Sequence, residues 1–257
     1  MPTNIKPATS FDLTLILPPL WDVTRPWTAT AYLTETMKAH GYRVQFLDYN
    51  IQLFHQCERF GCGALWTDPG LAVAWRDARL GFLVNMLDLD EIGGGVIGIS
   101  VGCTGLAFSL ELMKALRRKF PHRKIMLGGH ELFLPQDVAR VPLDCADAIC
   151  KGEGELTLRD VMARGFSALE EVPGLYLPQD DGWRLTKNRE LLRELDTLPW
   201  LTFNEVDVTQ YTQRMLPLVG SRGCINQCTY CYDRFMTQSW YRTRSAQNLV
   251  NGLCTTC

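Results

Sequence analysis

No apolar run in this 257-residue chain approaches the roughly 20 residues needed to cross a bilayer, so the sequence offers no transmembrane helix. Excess charge is also lacking. A formal net charge of −2 gives no electrostatic reason to expect a nucleic acid or an anionic membrane as partner. Residues 1–10 hold one lysine and no apolar stretch, which excludes a recognisable secretory leader and predicts a cytoplasmic protein. Internal repeats and low-complexity tracts are absent, so repeat architectures are excluded as well.

What is present is a globular composition, 46% hydrophobic and 21% charged, long enough for one large domain or two modest ones. Ten cysteines is a high count for such a chain. With no leader, clustered cysteines point to metal or cluster ligation rather than to a disulfide framework. Cys57, Cys62, Cys103, Cys145 and Cys150 are scattered, and the last three sit in apolar or strand-like surroundings that read as small buried hydrophobes. Only from Cys224 onward do cysteines cluster.

The first half alternates strand and helix. Apolar runs at 13–17, 43–48, 95–100, 124–127 and 147–150 read as five strands. Helical spacing is expected over 28–39, 106–119 and 156–163, with a further helix near 77–87 in the less regular stretch 49–90. Leu106, Leu110, Met113, Leu116 and Phe120 form one buried stripe, which makes Met113 a core residue. Five strands with helical crossovers predict an α/β fold on a parallel sheet, where ligands bind outside the carboxyl ends of the strands. Ser100, Gly102, Thr104, Gly105, Gly128 and Gly129 collect at those ends, and together they predict a ligand crevice. The stretch 174–185 reads as a β-hairpin with an Asp-Gly turn, 191–207 as an extended linker, and 215–219 as a short strand leading into the cysteines.

The cysteine segment is Ser221-Arg-Gly-Cys224-Ile-Asn-Gln-Cys228-Thr-Tyr-Cys231. Three thiolates so spaced can wrap one iron–sulfur cubane and leave one iron open. The same residues admit a structural zinc site: Cys228-x-x-Cys231 and Cys254-x-x-Cys257 lie 22 residues apart, close to the two knuckles of a zinc ribbon.

The strand, the Ser-Arg-Gly and the Cys-x-x-x-Cys-x-aromatic-Cys loop resemble the defining segment of radical S-adenosylmethionine (SAM) enzymes. Gly98-Ile-Ser100, Gly128-Gly129, Lys151-Gly-Glu-Gly-Glu155, Gly174-Leu175 and Asp196-Thr-Leu-Pro199 occur in the order found in the cobalamin-binding branch of that superfamily. The resemblance implies a flavodoxin-like, doubly wound cobalamin-binding domain over 1–165, a hairpin and linker over 166–213, and the start of a partial TIM barrel over 214–257. It implies that Cys224, Cys228 and Cys231 hold a [4Fe–4S] cluster binding SAM, that Tyr230 contacts the nucleoside, and that Ser100, Thr104, Gly128 and Gly129 surround the nucleotide tail of cobalamin. The implied activity is methyl transfer to an unidentified small molecule or peptide, after reductive cleavage of SAM to a 5′-deoxyadenosyl radical. An electron donor such as flavodoxin or ferredoxin is implied too.

Two departures stand out. Many cobalamin domains carry Asp-x-His-x-x-Gly, but here Thr24 stands at the histidine position and Trp27 at the glycine position. No histidine is therefore expected on cobalt, and the lower face is expected to be covered by the loop holding Trp21 and Trp27. His130 reads as a satisfied loop histidine. The second departure is length: only 26 residues follow Cys231, whereas closing a barrel takes roughly 200. The chain is thus expected to be a truncated or frame-shifted product, or half of a split enzyme. A non-catalytic cobalamin module with a vestigial cluster loop and a zinc-stapled α/β protein remain the alternatives.

Overall fold

The computed structural model describes residues 10–19 and 22–256. Strand β1 (Phe11–Leu17) leads to α1 (Thr28–Ala39), β2 (Val44–Asp48), α2 (Tyr49–Arg59), α3 (Pro69–Asp77) and α4 (Leu80–Asn85). There follow β3 (Gly94–Ser100), α5 (Leu106–Lys119), β4 (Lys124–Gly128), α6 (Pro135–Val138), β5 (Ala148–Cys150) and α7 (Gly154–Ala163). A hairpin, β6 (Leu175–Gln179) and β7 (Gly182–Leu185), precedes the cysteine region with β8 (Ser221–Arg222), α8 (Asp233–Thr237), β9 (Arg242–Thr243) and α9 (Ala246–Thr256). Among the described residues no helix is long and apolar enough to cross a membrane.

The sheet order is β2-β1-β3-β4-β5-β6-β7, the first five strands parallel, β6 antiparallel to β5 and β7 antiparallel to β6. This is the predicted doubly wound α/β fold. Strand side chains alternate between two cores, as a period of two requires. Ile16, Ile97, Ile99, Ile125, Leu127 and Ile149 face one core, where α5 contributes Phe108, Leu112, Met113 and Leu116. Leu13, Leu15, Met126, Ala148 and Cys150 face the other, covered by Met37 of α1 and by Leu158 and Val161 of α7. Both faces being covered explains why these strands read as near-continuous apolar runs.

Three expectations need correction. The stretch 49–90 holds three helices rather than one near 77–87. Asp48 and Asp68 start two of them, each accepting a hydrogen bond from the backbone N–H three residues on, and Pro69 occupies the first turn of α3, where its missing N–H costs nothing. The run 215–219 forms no strand: Met215 and Leu218 are exposed, Pro217 lacks a donor, and pairing begins only at Ser221 with Thr243. Cys103, expected in the core, is exposed, whereas Cys145 and Cys150 are buried as expected.

The hairpin extends the main sheet, with Ile149 opposite Tyr176 and Cys150 opposite Leu175. The linker is equally well packed. Leu195, Leu198, Leu201 and Phe203 bury against Tyr32 of α1, and the Tyr211 hydroxyl donates to Asp48 at 2.5 Å. Burial pushes the Asp48 carboxyl upward, and this bond from Tyr211 opposes that push.

Gly129 closes β4 against β3 at φ +115, and a Cβ there would lie 2.2 Å from the Val101 carbonyl oxygen. Neither the conformation nor the space suits an L side chain. Gly129→Ala is expected to destabilise the chain by about 2 kcal/mol, measured as the loss in urea unfolding free energy. An unchanged midpoint would contradict this close approach.

Candidate cofactor-binding site

The carboxyl ends of β1, β3, β4 and β5 open into a cavity of about 400 Å³. Its lower walls are Leu15, Trp27, Tyr32, Leu33, Ser100, Gly102, Met126, Gly128, Gly129 and Cys150, joined by Gly152–Glu155 from the loop into α7. Its roof comes from the cysteine region: Val219, Ser221, Arg222, Gly223, Asp233, Met236 and Thr237. The residues flanking the cysteine loop on both sides, Gly223 and Asp233, thus border the same space as the strand-end crevice.

The roof is held by buried charge. Glu153 accepts from Arg222 at 3.3 Å and from Arg242 at 2.9 and 3.0 Å, while Glu155 accepts from Arg222 at 2.5 Å. The Leu192 N–H also donates to Glu153, at 3.0 Å. Arg222 and Arg242 stand opposite each other on β8 and β9, a like-charge pairing that is unfavourable alone. The two glutamates balance it. Arg222 also lies over the Tyr32 ring at 4.8 Å, and Arg244 fits between Tyr32 and Trp200, at 5.7 and 4.3 Å from their ring centres. Burial alone would raise the Glu153 carboxyl, but Arg242 and Arg222 hold it below the ordinary glutamate value. The composition of the glycine-glutamate motif hinted at a special loop but did not reveal this clamp, whose partners stand 67 to 89 residues apart.

Of the predicted crevice residues, Ser100, Gly128 and Gly129 border the cavity. Thr104 does not: it lies exposed one turn away at φ +66, its carbonyl accepting from Arg76. His130 borders the cavity, where burial lowers its imidazole and nearby Asp233 raises it. Thr24 donates to the Asp22 carboxylate from its N–H at 2.9 Å and its hydroxyl at 2.6 Å. Trp27 borders the cavity beside it, while Trp21 lies outside the described residues.

Cys224, Cys228 and Cys231 are half-buried along the loop between Gly223 and Asp233. The Cys231 N–H donates to the Cys228 carbonyl at 3.2 Å, and the Asn226 N–H meets the Cys224 sulfur at 3.4 Å. Among the described residues no three cysteine, histidine or acidic side chains lie close enough to share a metal ion. The donor set itself, three thiols on one loop, has the chemistry of an iron–sulfur site. Tyr230 is 89% exposed and does not border the cavity. Cys254 sits exposed on α9, and Cys257 lies outside the described residues.

No family model matches the chain. Over 96% of its length it superposes on 31% of the cobalamin-dependent S-adenosylmethionine radical enzyme OxsB, whose structure contains aqua-cobalamin and SAM, with a TM-score of 0.66 and 19% identity. The fold is that of the matched part of OxsB. Over 95% of its length it also matches 45% of TsrM from Kitasatospora setae, a radical SAM methyltransferase solved with cobalamin and a [4Fe–4S] cluster, at a TM-score of 0.59 and 14% identity. Among curated proteins, the cytidylyl-2-hydroxyethylphosphonate methyltransferase of Streptomyces wedmorensis is 23% identical over 86% of this chain. An uncharacterized methyltransferase of Pyrococcus horikoshii is 24% identical over 62%. The chain spans less than half of either relative, 46% and 36% respectively.

A carboxyl held below its ordinary value stabilises the fold above that value, and the contribution is lost as pH falls through the folded value. Glu153→Gln is expected to cost about 2–3 kcal/mol at pH 7, since two buried guanidinium groups lose their shared charge. Urea titrations from pH 7 to about pH 3 should show wild-type stability falling more steeply below the ordinary glutamate range than that of the variant. Parallel pH profiles would refute the clamp.

Proposed function

We propose that this chain forms the cobalamin-binding and cluster-loop part of a cobalamin-dependent radical SAM methyltransferase. The observation that carries this reading is the single cavity: the crevice at the strand ends is roofed by the residues flanking Cys224–Cys231.

The residues present fit both groups. The crevice floor combines the glycines at 128, 129, 152 and 154 with apolar walls from Leu15, Leu33, Met126 and Met236, so a broad, largely apolar ring can approach the backbone. At Gly128 and Gly154 added Cβ atoms would come within 3.3 Å of Cys150 and 3.1 Å of Leu33, narrowing the crevice wall. Ser100 offers a hydroxyl there. Cys224, Cys228 and Cys231 would hold the cluster as thiolates. When bound, the cluster supplies the electron that cleaves SAM, and cobalamin carries the methyl group. The chain's own contribution is position and exclusion of water. Trp27 and Val219 contribute apolar surface to the cavity, Arg222 fixes the loop before the first cysteine, and the Asp22–Thr24 turn presents no histidine to the lower face. An external flavodoxin- or ferredoxin-type protein would deliver the electron. The methyl acceptor, a small molecule or peptide, would be read by parts of the relatives that this chain does not span.

The test is anaerobic reconstitution with iron and sulfide, beside titration with hydroxocobalamin. We expect one cobalt per chain, about four irons, and visible absorption that dithionite bleaches. Cys228→Ala should reduce bound iron to background, while cobalamin affinity, measured before reconstitution, stays within about twofold. Cobalamin binding without cluster formation would reduce the chain to a binding module. Stoichiometric zinc with no cobalamin bound would overturn the reading.

A further inference from the structure

We propose that Arg222 is a positioning residue that couples occupancy of the crevice to the order of the cysteine loop. The inference rests on the cofactor reading above but adds a route between its two sites.

Three features support it. The groups that hold the Arg222 guanidinium belong to the cavity wall: Glu153 just before α7, Glu155 in the first turn of α7, and Tyr32 on α1. A ligand filling the cavity therefore meets Arg222 and its supports together. The second feature is the stiff link to the cysteines. Gly223 follows at φ +86, so close to the turn between α8 and β9 that a Cβ there would lie 2.0 Å from the Trp240 carbonyl oxygen. Only this tightly packed glycine separates Arg222 from Cys224, so a displacement at Arg222 acts on the start of the cysteine loop. The third is the exposure of the loop beyond: Ile225 is 73% and Tyr230 89% exposed, so packing against the fold contributes little order at those positions. A segment anchored firmly at one end and loosely elsewhere changes its order when the anchor is fixed.

Coupling is read as a change in thiol reactivity. The full chain, without iron, is alkylated with iodoacetamide in the presence and absence of saturating cyanocobalamin. Modification of Cys224 and Cys228 is followed by peptide mass spectrometry, with exposed Cys254 on α9 as the internal reference. In the wild type, cyanocobalamin is expected to slow alkylation of the two loop cysteines about five- to tenfold and to leave Cys254 unchanged. Arg222→Gln, at cobalamin concentrations that saturate it, should retain less than about twofold protection, and Arg222→Lys, which keeps the charge but not the fork, an intermediate value. Glu155→Gln should behave like Arg222→Gln, which keeps the test decisive if that variant fails to fold by circular dichroism. Protection that persists in both folded variants would mark plain shielding by the ligand and overturn the coupling. Unchanged wild-type rates despite bound cobalamin would overturn it too. No cobalamin binding by the wild type would instead remove the cofactor reading, and this proposal with it.

Discussion

The guanidinium of Arg222 is where the two parts of the chain become one structure. It leaves a two-residue strand beside the cysteine loop, crosses the cavity edge, and ends between two glutamates, one just before α7 and one in its first turn. Tyr32, from the first helix, lies beneath it. Without that anchor β8 and β9 are a two-stranded ribbon, which is marginal in water by itself. The roof of the cavity, its distance from the crevice floor and the direction in which the cysteine loop leaves the fold all follow from where this charge is held.

Such a cluster contributes more to orientation than to stability. Desolvating two arginines and two glutamates costs about what their attraction returns, so apolar residues of similar volume could hold the units together as firmly. Apolar packing, however, tolerates sliding. The pairing of Glu153 with both Arg222 and Arg242 fixes rotation as well as distance, because each planar guanidinium must meet an oxygen along its N–H directions. The alternation of Arg222, Tyr32, Arg244 and Trp200 adds a stacked column with the same directional demand. A cavity whose floor and roof come from distant segments gains from that restriction.

The sheet was legible in the sequence because its strands are buried on both faces and carry little besides Ile, Leu, Val, Met and Gly. Their bounds are within two residues of those expected. The helices of 49–90 were less legible, since the Asp-Pro-Gly that starts α3 reads equally as a turn and the local pattern carries no clean period. At the site, chemistry was visible and partnership was not. The cysteine spacing, the strand-end glycines and the glutamate motif announce themselves locally. That Glu153 meets Arg242 across 89 positions is a fact of tertiary structure with no local trace. Locally, Lys151 and Arg159 stand near enough in sequence to pair with these glutamates, so nothing in the motif called for a distant partner. Thr104 and Tyr230 illustrate the opposite case. Motif position suggested them, while the fold leaves both outside the cavity lining.

The linker completes the argument that the parts are not independent beads. Thr212 and Gln213 donate backbone hydrogen bonds to Val23 and Thr24, each at 3.0 Å, and so brace the Asp22–Thr24 turn. Tyr211 is bonded to buried Asp48 at the end of β2, and Leu195, Leu198 and Leu201 cover Tyr32. One stretch of chain therefore braces the 22–24 turn that leads to the cavity-lining Trp27 and packs against Tyr32 of α1. Cutting the chain between hairpin and cysteine region would expose all of that apolar surface at once and release the turn. The crevice is thus completed by residues that follow it in sequence by more than 150 positions, as the pairing of Tyr211 with Asp48 requires. Floor and roof are set by the same packing, so the geometry between them is a property of the whole fold rather than of a hinge.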